Sequence, residues 1–417
     1  MLSEKVRIWI PANPRLAYPG CQSVSAELSA RYGFPLLSAR GHRSAMRIIQ
    51  LSSMTSYYGG EVHLAQLAAG LRERGHRVQC VVRPESELAR RLPALGLEVR
   101  TIPLVDWFDP RSVASLARLL REGEPGILHT HLPRDYFLGA VASLGTGMVN
   151  VGTRHQLRPL SHPVLKRPFL KRFDALIAVS AAVREGLRQS RAVPENRLHV
   201  IPNGLSAGSG ERQSRALRLR MEAGAGPEDP LIGFVGKLCP EKGAGDLLAA
   251  AAQLVGRWPR LRLCLVGNED RGSGYRGDLE SRAATLGLSS HVFFAGYRSE
   301  AAELSAAFDV QVVPSAAEPF GLVTLEAMQA AVPVVATDSG GTPEILRDGV
   351  EGFLYAPGDG AALARKLEIL MESPGLRAEM GQRGSKRARE EFSHARMVEA
   401  TEALYLRLLA ERLKVPA

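Results

Sequence analysis

Strand-like apolar runs alternate with helix-like amphipathic runs along most of this chain, and the alternation breaks once and then resumes. Runs at 46–51, 78–82, 99–103, 126–131, 148–153, 175–179 and 198–201 read as strands, each followed by a helical pattern. Such alternation fits a parallel, doubly wound sheet, because strands running the same way need a crossover helix between them. In the first crossover, Leu64, Leu67, Ala68 and Leu71 share one face and Gly75 stands where a helix ends. Asp109-Pro110 reads as an N-cap followed by proline in the first turn of another helix. Ser206-Ala207-Gly208-Ser209-Gly210 then has linker composition. A second set of runs follows, at 231–235, 261–266, 292–294, 310–313 and 332–336. The fold class expected is therefore α/β with two Rossmann-like domains, at 46–205 and 229–392, joined by a linker at 206–228. Ser393 reads as the cap of a closing amphipathic helix, 393–417, with Met397, Leu404, Leu408 and Leu413 on its apolar face.

The bulk properties narrow the function. A chain of 417 residues exceeds one comfortable core and suits two domains. No apolar run approaches the roughly 18 residues needed to cross a bilayer. Cys21, Cys80, Cys239 and Cys264 lack metal or redox spacing and read as reduced cysteines of a cytoplasmic protein. A formal charge of +10 calls for an anionic partner: nucleotide phosphates, an acidic membrane surface or nucleic acid. The segment 1–45 sets Lys5, Arg7, Arg15, Arg31, Arg40 and Arg43 against Glu4 and Glu27 with little periodicity. It reads as a weakly structured basic extension, and Met46 stands as an alternative chain start.

The chemistry concentrates at Glu318-Pro319-Phe320-Gly321-Leu322-Val323-Thr324-Leu325-Glu326. Pro319 keeps Glu318 in a loop, and Gly321 lets the backbone turn and present free N–H groups at a helix start. Glu326 falls about a turn inside that helix. One carboxylate is thus placed for a sugar ring and the other for a ribose, with amides between them for a diphosphate. Lys237 and Lys242 lie just past the run 231–235, at the carboxyl end of a parallel strand, where open α/β sheets bind ligands. They read either as the positive charge that steadies a departing diphosphate or as solvated surface lysines.

Gly59-Gly60-Glu61 and Gly340-Gly341-Thr342-Pro343-Glu344 read as strand-to-helix turns, the first with amides able to meet phosphate. His129 and His131 point to one side of their sheet. His131 either meets the donor sugar or is a polar residue of the sheet edge, and the same choice applies to His155. With no third ligand or carboxylate cluster at suitable spacing, no metal is expected. Arg154, Arg158, Lys166, Arg167, Lys171 and Arg172, with Leu165, Phe169, Leu170 and Phe173 interleaved, suit either an anionic leaflet or a solvated helix beside an acceptor cleft.

From about Met46 to its end the chain resembles the retaining glycosyltransferases of family 4, which have the GT-B fold. The resemblance rests on Gly59-Gly60-Glu61, His129/His131, Val179-Ser180, Pro202-Asn203-Gly204, Gly236-Lys237-Leu238 with Glu241-Lys242-Gly243, the glutamate pair, and Gly340-Gly341 before Glu344, in that order. It implies two facing Rossmann-like domains with a C-terminal helix crossing back to the first, a donor held mainly by the second, and no required metal or cofactor. It implies that Glu318 contacts the sugar hydroxyls, that Phe320, Gly321 and Leu322 contribute backbone contacts, and that Glu326 holds the ribose. Two departures stand out. Lys237 replaces the family's usual arginine, keeping the charge but losing the forked geometry. Asn268-Glu269-Asp270 replaces the usual second glycine and proline after Val266-Gly267.

The function expected is transfer of a sugar from a nucleotide-diphosphate donor to a hydroxyl acceptor on a glycan or lipid-linked molecule. The setting expected is the cytoplasm or the cytoplasmic membrane face. The alternatives are a non-catalytic nucleotide-sugar sensor of the same fold, or nucleic-acid binding, which lacks interleaved aromatics along a groove.

Overall fold

A computed structural model describes residues 45–106, 109–158, 163–206, 208 and 210–413. The basic extension with Cys21 lies outside these residues, as do Ala207 and Ser209 of the linker and positions 159–162 of the basic segment. In chain order the strands are β1 Arg47–Ser52, β2 Arg77–Val82, β3 Glu98–Thr101, β4 Ile127–Thr130, β5 Val149–Arg154, β6 Ala175–Ala178 and β7 Leu198–Val200, then β8 Leu231–Val235, β9 Arg262–Val266, β10 Val292–Gly296, β11 Val310–Val313, β12 Val334–Thr337 and β13 Gly352–Tyr355. They form a seven-stranded sheet in the order β3-β2-β1-β4-β5-β6-β7 and a six-stranded sheet in the order β10-β9-β8-β11-β12-β13. The pairings are parallel, as in β1 with β2 and β8 with β9.

Both sheets reverse their strand order once, between β1 and β4 in the first and between β8 and β11 in the second. At such a point the crossovers leave on opposite faces, and a crevice opens at the carboxyl ends of the two strands. The strands are short and apolar because both faces are covered: every residue of β4, β6, β8 and β11 is buried. β13 was not among the expected strands. Its four residues follow the polar turn Asp348-Gly349-Val350-Glu351, and so short an apolar run carries too little periodicity to separate it from a loop.

By contact density the chain forms two compact units. One comprises the described residues up to Gly152 together with 169–175 and 395–413; the other comprises the described residues of 153–168 and 176–394. In the first unit, helix α1 (Gly59–Glu73) buries Leu64, Leu67, Ala68 and Leu71, as its periodicity requires, and Gly75 follows its end at φ +91. Helix α2 (Pro110–Arg121) starts as expected, with the Asp109 carboxylate accepting from the Arg111 amide.

The closing helix, His394–Leu413, begins directly after Ser393 and packs into the first unit. Tyr405, fully buried, meets His129 Nδ1 at 2.5 Å. Glu402 accepts from Arg74 Nε at 2.9 Å and lies 2.8 Å from His76 Nε2. These partners explain how a helix with a modest apolar face is held: the polar groups it brings inside are met by partners, so their desolvation is offset. Among the described residues no helix is long and apolar enough to cross a membrane.

Candidate active site

The second unit gathers most of the expected residues at its switch point. After β8 the chain passes Gly236 and Lys237 into a short turn, Pro240–Lys242, and then into helix α3 (Ala244–Ala252). Gly243 makes that junction at φ +71, and a Cβ there would stand 2.0 Å from the Pro314 carbonyl oxygen. Only glycine lets the turn press so closely onto the chain leaving β11. The Ala316 amide donates to the Glu241 carbonyl at 2.9 Å and fastens the two segments side by side.

Lys242 and Glu318 meet across this junction, with Nζ 2.5 Å from Oε1. Ser315 Oγ donates to the same oxygen at 2.6 Å. Glu318 is 8 % exposed, and its Oε2 has no partner among the described residues. Lys237 takes another course: its ammonium pairs with Asp270, in the Asn268-Glu269-Asp270 segment after β9. The two lysines therefore do not converge on the glutamate loop in this structure, and the departure noted after Val266-Gly267 supplies the competing carboxylate.

Gly321, at φ +105, precedes helix α4 (Leu322–Gln329). The amides of Leu322 and Val323 open this helix, where no intrahelical acceptor exists, and none is found among the described residues. Phe320 is buried with its ring 6.0 Å from that of Phe392, so only its backbone is available to a ligand. Glu326 stands a turn into α4, half-buried and with no partner among the described residues. Burial pushes its carboxyl up from 4.5 to about 7.

That shift has a consequence for stability. Between pH 4.5 and about 7 the folded chain keeps a proton that the unfolded chain releases. The contribution of Glu326 is thus whole below the unfolded value, falls through this window, and is lost above about 7. Glu326→Gln should therefore gain melting temperature over wild type as pH rises from about 5 to about 8. A difference that stays level across that range would refute the assignment.

Gly340 and Gly341 form the expected turn between β12 and the helix Thr342–Ile345, and that turn lies against the glutamate loop. The Gly341 amide donates to the Glu318 carbonyl at 2.7 Å, and Gly340 forms an isolated parallel bridge with Glu318. Glu344 turns elsewhere within the unit. Its two carboxylate oxygens accept from the Ala181 and Ala182 amides at 2.8 and 3.0 Å, at the start of the helix Ala181–Gln189. Ser180 caps that helix and donates to the Pro319 carbonyl at 2.5 Å. Val179-Ser180 and Glu344 thereby acquire a structural role that their spacing did not show.

In the first unit, Gly59 and Gly60 open α1 at the carboxyl end of β1, and Glu61 accepts from the Tyr58 amide at 3.0 Å. His131 follows β4, buried, with Nε2 2.6 Å from Gln50 Oε1 and its ring 4.3 Å from that of His129. The two imidazoles share one side, as alternation requires. β4 lies between β1 and β5, so the sheet-edge reading of these histidines does not hold. A third imidazole does accompany them: His63 on α1, its ring 5.7 Å from that of His131. Spacing along the chain gave no sign of it because α1 and β4 meet only in the fold.

Asp135 carries almost no signal along the chain. It is fully buried, accepts from the Ser53 amide at 2.9 Å, and is pushed up to about 6 by burial. Its one local mark is a place in the first turn after Leu132-Pro133-Arg134. Ser315 is equally unmarked; it stands three residues before Glu318, with only alanines between them.

Two family models match the chain: "Glycosyltransferase Family 4" over residues 57–207 and "Glycosyl transferases group 1" over residues 218–387. The chain is 30 % identical over 351 residues to a putative glycosyltransferase, EpsD, of Bacillus subtilis, covering 80 % of this chain and 90 % of the relative. It is 30 % identical over 387 residues to the alpha-maltose-1-phosphate synthase of Mycolicibacterium smegmatis, covering 85 % of this chain and 96 % of that one. Among solved structures, Anabaena HepE in complex with UDP-glucose superposes with a TM-score of 0.75 at 26 % identity, covering 86 % of this chain and 99 % of that one.

Proposed function

Because this chain belongs to the family 4 and group 1 glycosyltransferases, with the GT-B fold, we propose that it moves a sugar from a nucleotide-diphosphate donor to a hydroxyl acceptor with retention at the anomeric carbon. The observation that carries the donor assignment is the set at the β8/β11 switch point: Lys242 on Glu318, two helix amides with no partner among the described residues, and Glu326 one turn on. The likeness to Anabaena HepE, solved in complex with UDP-glucose, supports the same donor class.

In this reading the acceptor oxygen bonds to the anomeric carbon as the bond from that carbon to the diphosphate oxygen breaks. The acceptor proton passes to the departing diphosphate. Lys242 answers the negative charge that develops there; an ammonium about 4 Å from a phosphate oxygen contributes about 4 kcal/mol at an effective dielectric of 20. The Leu322 and Val323 amides add a smaller, fixed share, about 0.3–1 kcal/mol for an exposed helix terminus. Glu326 accepts from the ribose hydroxyls, and Glu318 Oε2 accepts from a sugar hydroxyl. Lys237 reaches phosphate only by releasing Asp270. In the same reading His131 meets the donor sugar, and the Gly59 and Gly60 amides serve phosphate. The acceptor is a glycan or lipid-linked hydroxyl, and the exposed Lys171 and Arg172 of the basic segment meet an anionic membrane face in the cytoplasm. No metal or cofactor enters these steps.

The test is a melting-temperature screen against uridine, guanosine and adenosine diphosphates and their sugars, since a ligand of the native state raises the midpoint by mass action. Turnover of the best binder follows, with the product anomer read by NMR. Stabilisation by one nucleotide class and a product of unchanged anomeric configuration are expected. No stabilisation by any member, or an inverted product, would overturn the reading.

A further inference from the structure

The Glu318 carboxylate is held asymmetrically. Oε1 takes two donors, Ser315 Oγ at 2.6 Å and Lys242 Nζ at 2.5 Å, while Oε2 takes none among the described residues. The donors differ in kind. Lys242 is a flexible ammonium whose side chain is about one-third exposed at 32 %, and any anion arriving at the turn competes for it. Ser315 is 2 % exposed, has no charge to answer, and sits on a rigid support: its carbonyl accepts from Thr337 Oγ1 at 2.6 Å, and Thr337 is itself buried in β12.

We propose that Ser315 is a positioning residue that keeps the Glu318 carboxylate aimed at the sugar when Lys242 turns to the donor's diphosphate. The inference rests on the donor reading above. Without Ser315, the one restraint on Oε1 is the same ammonium that the phosphates attract, so occupation of the nucleotide part would release Glu318 when it is needed. With Ser315, Oε1 stays occupied and Oε2 remains the acceptor for a sugar hydroxyl, since an ionised carboxylate accepts at both oxygens. The hydroxyl's partner is a charge, which makes this bond one of the stronger kind.

The proposal makes a distinction that a general packing role would not. Glu318 is assigned to the sugar, not to the nucleotide, so Ser315→Ala should weaken nucleotide-sugar binding and leave the matching free diphosphate unaffected. The experiment compares wild type and Ser315→Ala by calorimetry, using whichever nucleotide-sugar of the panel wild type binds most tightly and its free nucleoside diphosphate. The expected result is a loss of about fivefold to tenfold for the nucleotide-sugar, the size of one hydrogen bond, with the diphosphate affinity unchanged within about twofold. The variant's kcat should fall by a similar factor. Equal affinities in the two proteins would overturn the proposal, and so would a parallel loss for both ligands, which is the mark of a merely structural serine. If wild type binds no member of the panel, the donor reading itself fails and the inference fails with it. Ser315→Ala removes one oxygen from a buried site, so the folded state should persist, and a melting curve of the variant confirms the sample.

Discussion

Lys242→Ala should lower sugar transfer by about a hundredfold to a thousandfold while the protein stays folded. Removing one preorganised donor from a site where negative charge develops costs about that much. Lys242 is suited to the test because it lies in a surface turn with a third of its side chain exposed, and Glu318 keeps Ser315 when the ammonium is gone. An exposed or half-exposed ion pair contributes little to stability, about 0–1 kcal/mol. Steady-state rates with the identified donor, together with a melting curve, separate the two effects. A variant within about threefold of wild-type kcat would remove Lys242 from the chemistry. Lys237→Ala offers the contrast: that ammonium is paired with Asp270, so a smaller loss is expected.

The second large effect is on the fold of the site. Gly340→Ala should destabilise the protein by about 3–5 kcal/mol, or else displace the glutamate loop and abolish transfer. Gly340 holds φ +61, and a Cβ there would stand 2.1 Å from the Glu318 carbonyl oxygen. The left-handed conformation alone costs a side chain about 1–2 kcal/mol. The rest comes from the backbone contact, because the Gly341 amide bonds the same carbonyl and neither strand-end loop can move without breaking that bond. Gly349→Ala is the control. It has φ +72 but nothing within 4 Å of its Cβ, so it should lose only the conformational share. Urea unfolding of the two variants gives the comparison, and equal losses would show that the approach to Glu318 is unimportant.

The glutamate loop illustrates how far the chain could be read. Pro319 and Gly321 announce a loop ending in a helix start, and α4 begins at Leu322 with Glu326 a turn inside. These are local matters, decided within a few residues by proline's fixed φ and glycine's freedom. The lysine turn after β8 was legible for the same reason, and its place at a carboxyl strand end followed from the alternation of elements. β13 was not legible, being a four-residue apolar run whose identity comes from pairing with β12.

Partnership is a different matter. The residues alone marked Lys237 and Lys242 as equals; the fold sends one to Asp270 and the other to Glu318. They marked Gly340-Gly341 as a turn, and the fold lays it on Glu318. They passed over Asp135, met by the Ser53 amide from far along the chain, and Ser315, which reaches Glu318 three residues on while Thr337 of β12 holds its carbonyl.

By itself, then, the order of residues determined the α/β class, the two Rossmann-like halves, the strand-end placement of the charged turns and the glycosyltransferase family. The first three rest on short-range periodicity and turn stereochemistry, the family on its ordered motifs. Which oxygen of Glu318 is occupied, how far Glu326 is lifted toward neutrality, and which glycine admits no side chain were decided only by the tertiary structure. Hydrogen-bond partners, desolvation and close backbone approach arise between segments that are distant along the chain, and no local pattern encodes them.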